Sequence, residues 1–249
     1  MPLRALQGGR ARRTASNDIP IAQRSTPALP TRPGVLSRVG LAGLVTVLVG
    51  GSLVLVFPAQ FRRWLSPPPV EGLNARPSAD GRLLGHFPYA EAAAADLVEV
   101  SPGQALHRDA ASALLAMQRA AAADGISLTV LSAFRPIALQ KDLFFAVKSE
   151  RNQSALQRSR VSAPPGFSEH STGYAVDLGD GRAPQANLSE GFAATDAFRW
   201  LQANAARHHF ILSFPAGNPQ GVNYEPWHWR FEGTAEALKH FEPAQRLAR

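Results

Sequence analysis

A run of nineteen residues without a charged side chain divides this chain into two unlike parts. The run covers residues 39–57, reads VGLAGLVTVLVGGSLVLVF, and has only Thr46 and Ser52 as polar residues. At the rise of an α-helix it nearly spans the hydrocarbon core of a bilayer, which predicts an uncleaved transmembrane anchor. The alternatives are a buried helix or the core of a cleaved signal peptide, but the run is longer than most signal cores and a poor cleavage site follows it.

The basic residues of the chain lie before and around this run. Residues 1–65 contain nine arginines and one aspartate, whereas residues 66–249 contain 17 lysines and arginines and 18 acidic residues. The formal net charge of +7 therefore belongs to the N-terminal quarter, and the nearly neutral remainder argues against a nucleic-acid-binding surface. Close to the run, three arginines precede it and two follow it, which favours a cytoplasmic N-terminus and places residues 58–249 outside the cytoplasmic membrane.

The segments on either side of the run differ in composition. Residues 1–38 are rich in Arg, Pro, Ser and Thr without apolar periodicity, which predicts a disordered basic tail in the cytoplasm. Residues 58–80 contain three consecutive prolines and are typical of a semi-rigid linker. The sequence has no cysteine, which excludes a disulfide scaffold, an iron–sulfur protein and a thiol enzyme.

The region after the linker alternates apolar segments with turn residues. Helices are predicted over 101–124, 136–151, 195–208 and 234–241, and strands over 126–133, 174–178, 210–214 and 227–231. Ser101, Thr195 and Thr234 are the predicted N-caps of three of these helices. Because helices and strands interleave without a regular βαβ rhythm, we predict an α+β fold with a small, largely antiparallel sheet and flanking helices.

Two segments carry the side chains of a metal site. His170 follows a Pro/Gly-rich loop, and Asp177 comes seven residues later on a strand-like run. Glu225 and His228 lie three residues apart among aromatic residues. Two imidazoles and a carboxylate can hold zinc with one position open, and the remaining glutamate suits a general base. Spacing alone leaves open a turn-forming aspartate, a packed or surface histidine and a chance Glu-x-x-His match.

The particular residues in these segments favour the metal site over these alternatives. The motifs S-x-H-x-x-G-x-A-x-D over 168–177 and E-x-W-H-x-R over 225–230 closely resemble the two signatures of the VanY-type zinc D-alanyl-D-alanine carboxypeptidases, whose fold resembles the hedgehog signalling domain. A third segment, S-A-F-R over 132–135 followed by Gln140, resembles that family's Ser-Gly-Tyr-Arg segment, with Ala133 for the usual Gly and Phe134 for the usual Tyr. The resemblance covers residues 81–242 and implies a domain of that kind.

The resemblance also implies a role for individual residues. The implied zinc ligands are His170, Asp177 and His228, the general base is Glu225, the residue that stabilises the oxyanion is Arg135, and the substrate-binding residues are Ser168, Gln140 and Ser132. Alternatives remain for two of these, since Ser168 can simply shape its loop and Gln140 can face solvent. Arg230 has two possible partners, an acidic side chain or the substrate carboxylate.

Together these features predict a membrane-anchored, monomeric enzyme with one Zn²⁺ ion. It is expected to remove the terminal D-Ala from peptidoglycan stem peptides that end in D-Ala-D-Ala, outside the cytoplasmic membrane of a bacterium. The alternatives are an L,D-carboxypeptidase or endopeptidase acting on the same polymer, or a non-catalytic cell-wall binding module. The loss of Glu225 or Arg135 would be the mark of such a module, and both residues are present.

Overall fold

The computed structural model of the chain describes residues 72–248. The predicted tail, the predicted anchor over 39–57 and most of the predicted linker lie outside these residues. Within residues 72–248, no helix is both long enough and apolar enough to cross a membrane.

The described region is a mixed α/β structure with small antiparallel sheets. Its α-helices are α1 (Arg108–Ala123), α2 (Ile137–Glu150), α3 (Ala155–Ser159), α4 (Asp196–Asn204) and α5 (Ala235–Ala248). Its strands are β1 (Leu97–Ser101), β2 (Gln104–His107), β3 (Leu128–Ser132), β4 (Ala175–Asp180), β5 (Phe210–Leu212) and β6 (His228–Phe231). The strands β3-β4-β6-β5 form one antiparallel sheet in that order, and β1 pairs with β2 in a hairpin. The predicted fold class is thus confirmed for this region.

The main apolar core joins the four-stranded sheet to three of the helices. Its fully buried members include Leu114 and Met117 of α1, Leu178 of β4, Leu201 of α4 and Phe241 of α5. Burying a side chain of this size contributes about 1.5–3 kcal/mol each, so this core fixes the sheet against the helices. Every residue of β4 is buried, as expected for a central strand. The polar groups that β4 carries are therefore held in a rigid and largely dry environment.

A second, smaller core lies beside α2. It contains Leu73, Leu83, Phe144 and Phe167, all buried. These residues tie the segment before β1 to α2 and to the loop that precedes β4. The segment before β1 is thereby attached to the folded region rather than extended into solvent.

The predicted start of the first helix is wrong. Residues 101–107, predicted as helix, form the end of β1, the turn and the second strand of the β1-β2 hairpin, and α1 begins at Arg108. Pro102 and Gly103 occupy the turn, and Gly103 has φ +70, the left-handed conformation that the third position of a type II turn requires. The N-cap of α1 is His107, whose side chain accepts a hydrogen bond from the Asp109 amide. The Ser-Pro-Gly sequence is a turn signal here and not a helix start.

The two other predicted caps are confirmed. The Thr195 hydroxyl accepts a hydrogen bond from the Phe198 amide at the start of α4, and Thr234 does the same for the Ala237 amide at the start of α5. The last helix runs seven residues beyond the predicted end at Phe241, because Ala244 is still buried in the core. Strand β4 extends to Asp180, two residues beyond the predicted end at residue 178.

Candidate metal centre and its cavity

The sheet brings together residues that are far apart in the sequence. Asp177 of β4 and His228 of β6 are directly opposite one another in the antiparallel register, so their side chains project from the same face. His170 lies in a 3₁₀ turn, Glu169–Thr172, that leads into β4. Gly173 ends this turn with φ +72, and a Cβ atom there would lie 3.0 Å from the His107 amide nitrogen. A glycine is therefore needed where the chain passes from the turn into the strand.

His170, Asp177 and His228 form a compact, buried cluster, here called the metal trio. One ligand atom from each residue lies within 4.8 Å of the others. The carboxylate of Asp177 lies between the two rings, 3.3 Å from His170 Nε2 and 3.2 Å from His228 Nδ1. The other nitrogen of each ring is already used, since His170 Nδ1 donates to the Ala133 carbonyl at 2.7 Å and His228 Nε2 donates to Glu169 at 2.9 Å. These outer hydrogen bonds orient both rings so that the other nitrogen of each faces Asp177, where it can hold a proton or a metal ion.

The metal trio fits a divalent cation of the zinc type. Two imidazole nitrogens and one carboxylate are a common ligand set for catalytic zinc, which keeps a fourth position open. Asp177 Oδ1 is enclosed by protein and makes no hydrogen bond within residues 72–248. A buried carboxylate oxygen without a hydrogen bond is costly, and a cation would satisfy it. Burial opposes ionisation of Asp177, but the two histidines outweigh it and hold its pKa well below the ordinary value.

Glu169 supports the metal trio from behind, and the sequence motifs gave it no role. Its buried carboxylate accepts hydrogen bonds from His228 Nε2, from Ser213 Oγ at 2.6 Å and from Arg230 at 3.0 Å. Burial raises the pKa of Glu169, but the charge of Arg230 and the hydrogen bond from His228 outweigh it and lower the pKa to about 2. Glu169 is therefore ionised at neutral pH, and by accepting the Nε2 proton it fixes the orientation of His228.

Arg230, which had two possible partners in the sequence, pairs with acidic side chains. It binds Glu169 and also Glu232, the latter at 2.7 Å. The only sequence signal for Glu169 was its place beside His170. Its partners lie about 40 to 60 residues further along the chain, so only the folded structure reveals the cluster.

Glu225 lies beside the metal trio at the cavity wall. Its Oε2 atom is 3.8 Å from His228 Nδ1, and its side chain is largely buried. Burial raises the pKa of the Glu225 carboxyl to about 7, although His228 opposes the shift. A divalent cation at the metal trio would also lower this pKa. A carboxyl group held between burial, which raises its pKa, and nearby positive charge, which lowers it, is suited to take up and release a proton during a reaction.

Arg135 is held rigidly by two of the residues predicted to bind substrate. Its guanidinium donates to Gln140 Oε1 and to Ser132 Oγ, both at 2.8 Å. Gln140 is fully buried, so it does not face solvent, and it also donates to the carbonyl of Ala163 at 2.6 Å. The structure thus places Ser132 and Gln140 behind Arg135, whose side chain lines the cavity. Both residues orient the guanidinium.

The metal trio, Glu225, Arg135 and Ser168 surround one cavity of about 220 Å³. Phe214 and Trp227 contribute apolar walls, and two exposed side chains, Val161 and Leu188, also line it. Six of the eight residues predicted for the site line this cavity, and the other two, Ser132 and Gln140, bond to Arg135 beside it. A cavity that combines a metal site, a proton acceptor and a fixed cation suits hydrolysis of a carbonyl compound.

Comparison with known proteins agrees with this geometry. The sequence profile of the VanY family, described as D-alanyl-D-alanine carboxypeptidase, matches residues 103–234. YodJ of Bacillus subtilis is 35% identical over 138 residues, which cover 53% of this chain and 48% of YodJ. A D-alanyl-D-alanine carboxypeptidase of Enterococcus faecalis is 29% identical over 155 residues, covering 58% of this chain and 54% of that protein. This chain therefore spans about half the length of the curated relatives it matches.

Solved structures show the same fold. The LdcB LD-carboxypeptidase, studied for peptidoglycan recognition, is 29% identical with a TM-score of 0.51, and the match covers 65% of this chain and 77% of LdcB. The profile match covers more than half of the chain and includes the whole metal trio, Glu225 and Arg135. The chain therefore belongs to the VanY family of D-alanyl-D-alanine carboxypeptidases.

Proposed function

We propose that this protein is a zinc-dependent D-alanyl-D-alanine carboxypeptidase that hydrolyses the terminal D-Ala from peptidoglycan stem peptides. The observation that carries the proposal is the convergence of the metal trio, Glu225 and Arg135 on one cavity. Family membership supports the same activity. The two residues that a non-catalytic binding module would be free to lose, Glu225 and Arg135, are both present and both line the cavity.

The metal trio would hold the ion, which supplies a Lewis acid for water and for the scissile carbonyl. Glu225 takes a proton from the attacking water and returns it to the leaving amine, so the carboxyl group ends the cycle as it began. Its largely buried position beside the metal trio keeps bulk water from competing for that proton.

Arg135 stabilises the negative charge that develops on the carbonyl oxygen. Ser132 and Gln140 hold the guanidinium in place before substrate arrives, so little reorganisation is needed at the moment of reaction. A guanidinium also stays protonated at any working pH. Removal of one such donor costs about 100- to 1,000-fold in rate in comparable sites.

The activity is tested with the full-length protein, Zn²⁺ and a stem pentapeptide that ends in D-Ala-D-Ala, with the products identified by mass spectrometry. We expect the loss of one alanine, and we expect no loss with Glu225→Ala or after chelation of the metal. The Glu225→Ala protein should still bind zinc, because all three ligands remain. An intact pentapeptide in the presence of bound zinc would contradict the proposed activity.

A second specificity is favoured by one comparison. LdcB is named as an LD-carboxypeptidase, and this chain shares its fold. An L,D-carboxypeptidase would remove D-Ala that follows an L-configured residue. The pentapeptide and the tetrapeptide that ends in such a D-Ala should therefore be assayed side by side. We expect a higher kcat/KM for the pentapeptide, and preference for the tetrapeptide would assign the L,D activity.

We further propose that residues 39–57 anchor the protein as a monomer in the cytoplasmic membrane, with the enzyme domain on the outer, periplasmic side. The uncharged run and the location of peptidoglycan support this arrangement. Membrane fractionation and protease treatment of spheroplasts test it. The protein should sediment with membranes and its domain should be digested from outside, whereas protection from protease would reverse the orientation.

A further inference from the structure

His86 lies outside the segment that matches the family profile, yet it lines the active-site cavity. It is buried in the segment before β1, and that segment is fixed in place. The backbone amides and carbonyls of Leu83 and His86 bond to each other in both directions. Gly85 has φ +97, and a Cβ atom there would lie 2.2 Å from the Gln220 carbonyl oxygen. The segment is therefore packed closely against the loop that leads to Glu225.

The two ring nitrogens of His86 have different surroundings. Nε2 lies 2.7 Å from the carbonyl oxygen of Ser159. A carbonyl can only accept, so the proton is on Nε2 and Nδ1 is an acceptor. Nδ1 makes no hydrogen bond to a residue of the described region, and it is not enclosed by protein. Burial also lowers the pKa of His86, which favours the neutral ring.

His86 is close to the reacting groups without touching the metal trio. The ring of Phe214 packs against both, with its centroid 6.3 Å from that of His86 and 4.9 Å from that of His228. Arg135, across the same cavity, only donates hydrogen bonds. A peptide that enters the cavity brings backbone N–H groups that need an acceptor once water is excluded. His86 offers such an acceptor at a fixed position.

We propose that His86 binds the peptide substrate, its Nδ1 accepting a hydrogen bond from one backbone N–H of the chain and so setting the peptide's register across the cavity. The inference rests on the proposed function in that it takes the ligand to be a peptide. It adds a substrate-binding residue from the segment before β1 to those that the sequence motifs contain.

Two substitutions separate this role from a structural one. Gln places its side-chain amide near the position of Nε2, so His86→Gln keeps the bond to Ser159 and leaves no acceptor at the position of Nδ1, since its amide oxygen lies elsewhere. Asn places its amide near the position of Nδ1, so His86→Asn keeps an acceptor and loses the bond to Ser159. We expect His86→Gln to raise KM for the pentapeptide about 2- to 10-fold with kcat nearly unchanged and Tm close to that of the original protein. We expect His86→Asn to lower Tm and to raise KM less.

The bond itself is tested with pentapeptides in which each backbone N–H is methylated in turn. Methylation at one position should weaken binding to the original protein about 2- to 10-fold and leave binding to His86→Gln unchanged. The inference is overturned if His86→Gln has an unaltered KM, or if both proteins lose the same affinity at every methylated position.

Binding is also measured by calorimetry on the full-length, zinc-loaded Glu225→Ala protein, with and without His86→Gln. This readout separates the two proposals. If the original protein does not cleave the peptide but His86→Gln weakens its binding, the proposed activity fails and the role of His86 stands. If the original protein cleaves the peptide and His86→Gln changes neither KM nor calorimetric affinity, the role of His86 fails alone.

Discussion

At the scale of single residues, the site depends on side chains that act through others. Glu169 holds His228, and Ser132 and Gln140 hold Arg135. The motifs predict the residues that face the cavity, because those residues lie at the spacings that define the motifs. They do not predict Glu169, because its role comes from contacts with Ser213 and Arg230 that exist only in the folded chain.

Replacing Glu169 by Gln should weaken zinc binding about 10- to 100-fold. The amide keeps the shape of the side chain but removes the charge that polarises His228 Nε2–H. Competition with a zinc-binding dye measures the affinity. Glu150→Gln, at the exposed end of α2, is the matched control and should bind zinc as the original protein does. Equal affinities for the two variants would show that Glu169 does not tune the metal site.

Replacing Arg135 by Lys should lower kcat/KM about 100- to 1,000-fold while zinc affinity stays the same. The two guanidinium NH2 groups of Arg135 donate to Ser132 and Gln140 while the side chain lines the cavity. A lysine ammonium group cannot make both bonds and also reach the substrate. Steady-state kinetics with the pentapeptide measure the effect. Arg119→Lys, on the exposed side of α1, serves as the control. A kcat/KM within a few-fold of the original value would show that Arg135 does not stabilise the oxyanion.

At the scale of elements, the sequence predicts those whose signals are local and unambiguous. The predicted strand over 126–133 and helix over 136–151 contain β3 and α2, since apolar periodicity and flanking turn residues agree there. The β1-β2 hairpin was missed because Ser101, Pro102 and Gly103 suit both a helix start and a tight turn. The pairing of β2 with β1, most of which precedes Ser101, decides between the two.

Gly173 links the 3₁₀ turn to β4, and Gly173→Ala should destabilise the protein by about 1–3 kcal/mol. The alanine would have to adopt φ +72 and to fit 3.0 Å from both the His107 amide and Leu97. Gly221→Ala is a matched control, because Gly221 has φ +73 with open space around it. Denaturant unfolding should show the larger loss for Gly173→Ala. Equal losses would mean that backbone conformation alone accounts for the effect.

At the scale of the whole molecule, the sequence predicts the fold class and the position of the site in the chain. It does not predict how the segment before β1 reaches the cavity. His86 and Leu83 carry no motif, and their placement depends on packing against the loop near Gln220. Tertiary contacts of this kind are not encoded in local periodicity, which explains why the far wall of the cavity was not predicted.

Metal binding should stabilise the whole described region. Zinc at 100 times its Kd adds about 2.7 kcal/mol to the folded state, which is several degrees in Tm for a domain of this size. Thermal unfolding of the full-length protein before and after chelation measures the difference. A chelator already saturated with zinc is the control. Asp177→Asn should abolish most of the zinc-dependent shift, and an equal shift in this variant would place the metal elsewhere.

The pairing of β4 with β6 has a consequence for how the chain reaches its final state. Asp177 and His228 are directly opposite one another on one face only in the observed register, since a slip of one residue sends one of them to the opposite face and a slip of two moves them apart along the strands. The ion can therefore bind only a sheet that has paired correctly. Zinc binding would therefore favour the correctly aligned sheet, because it would add no stability to a misaligned form.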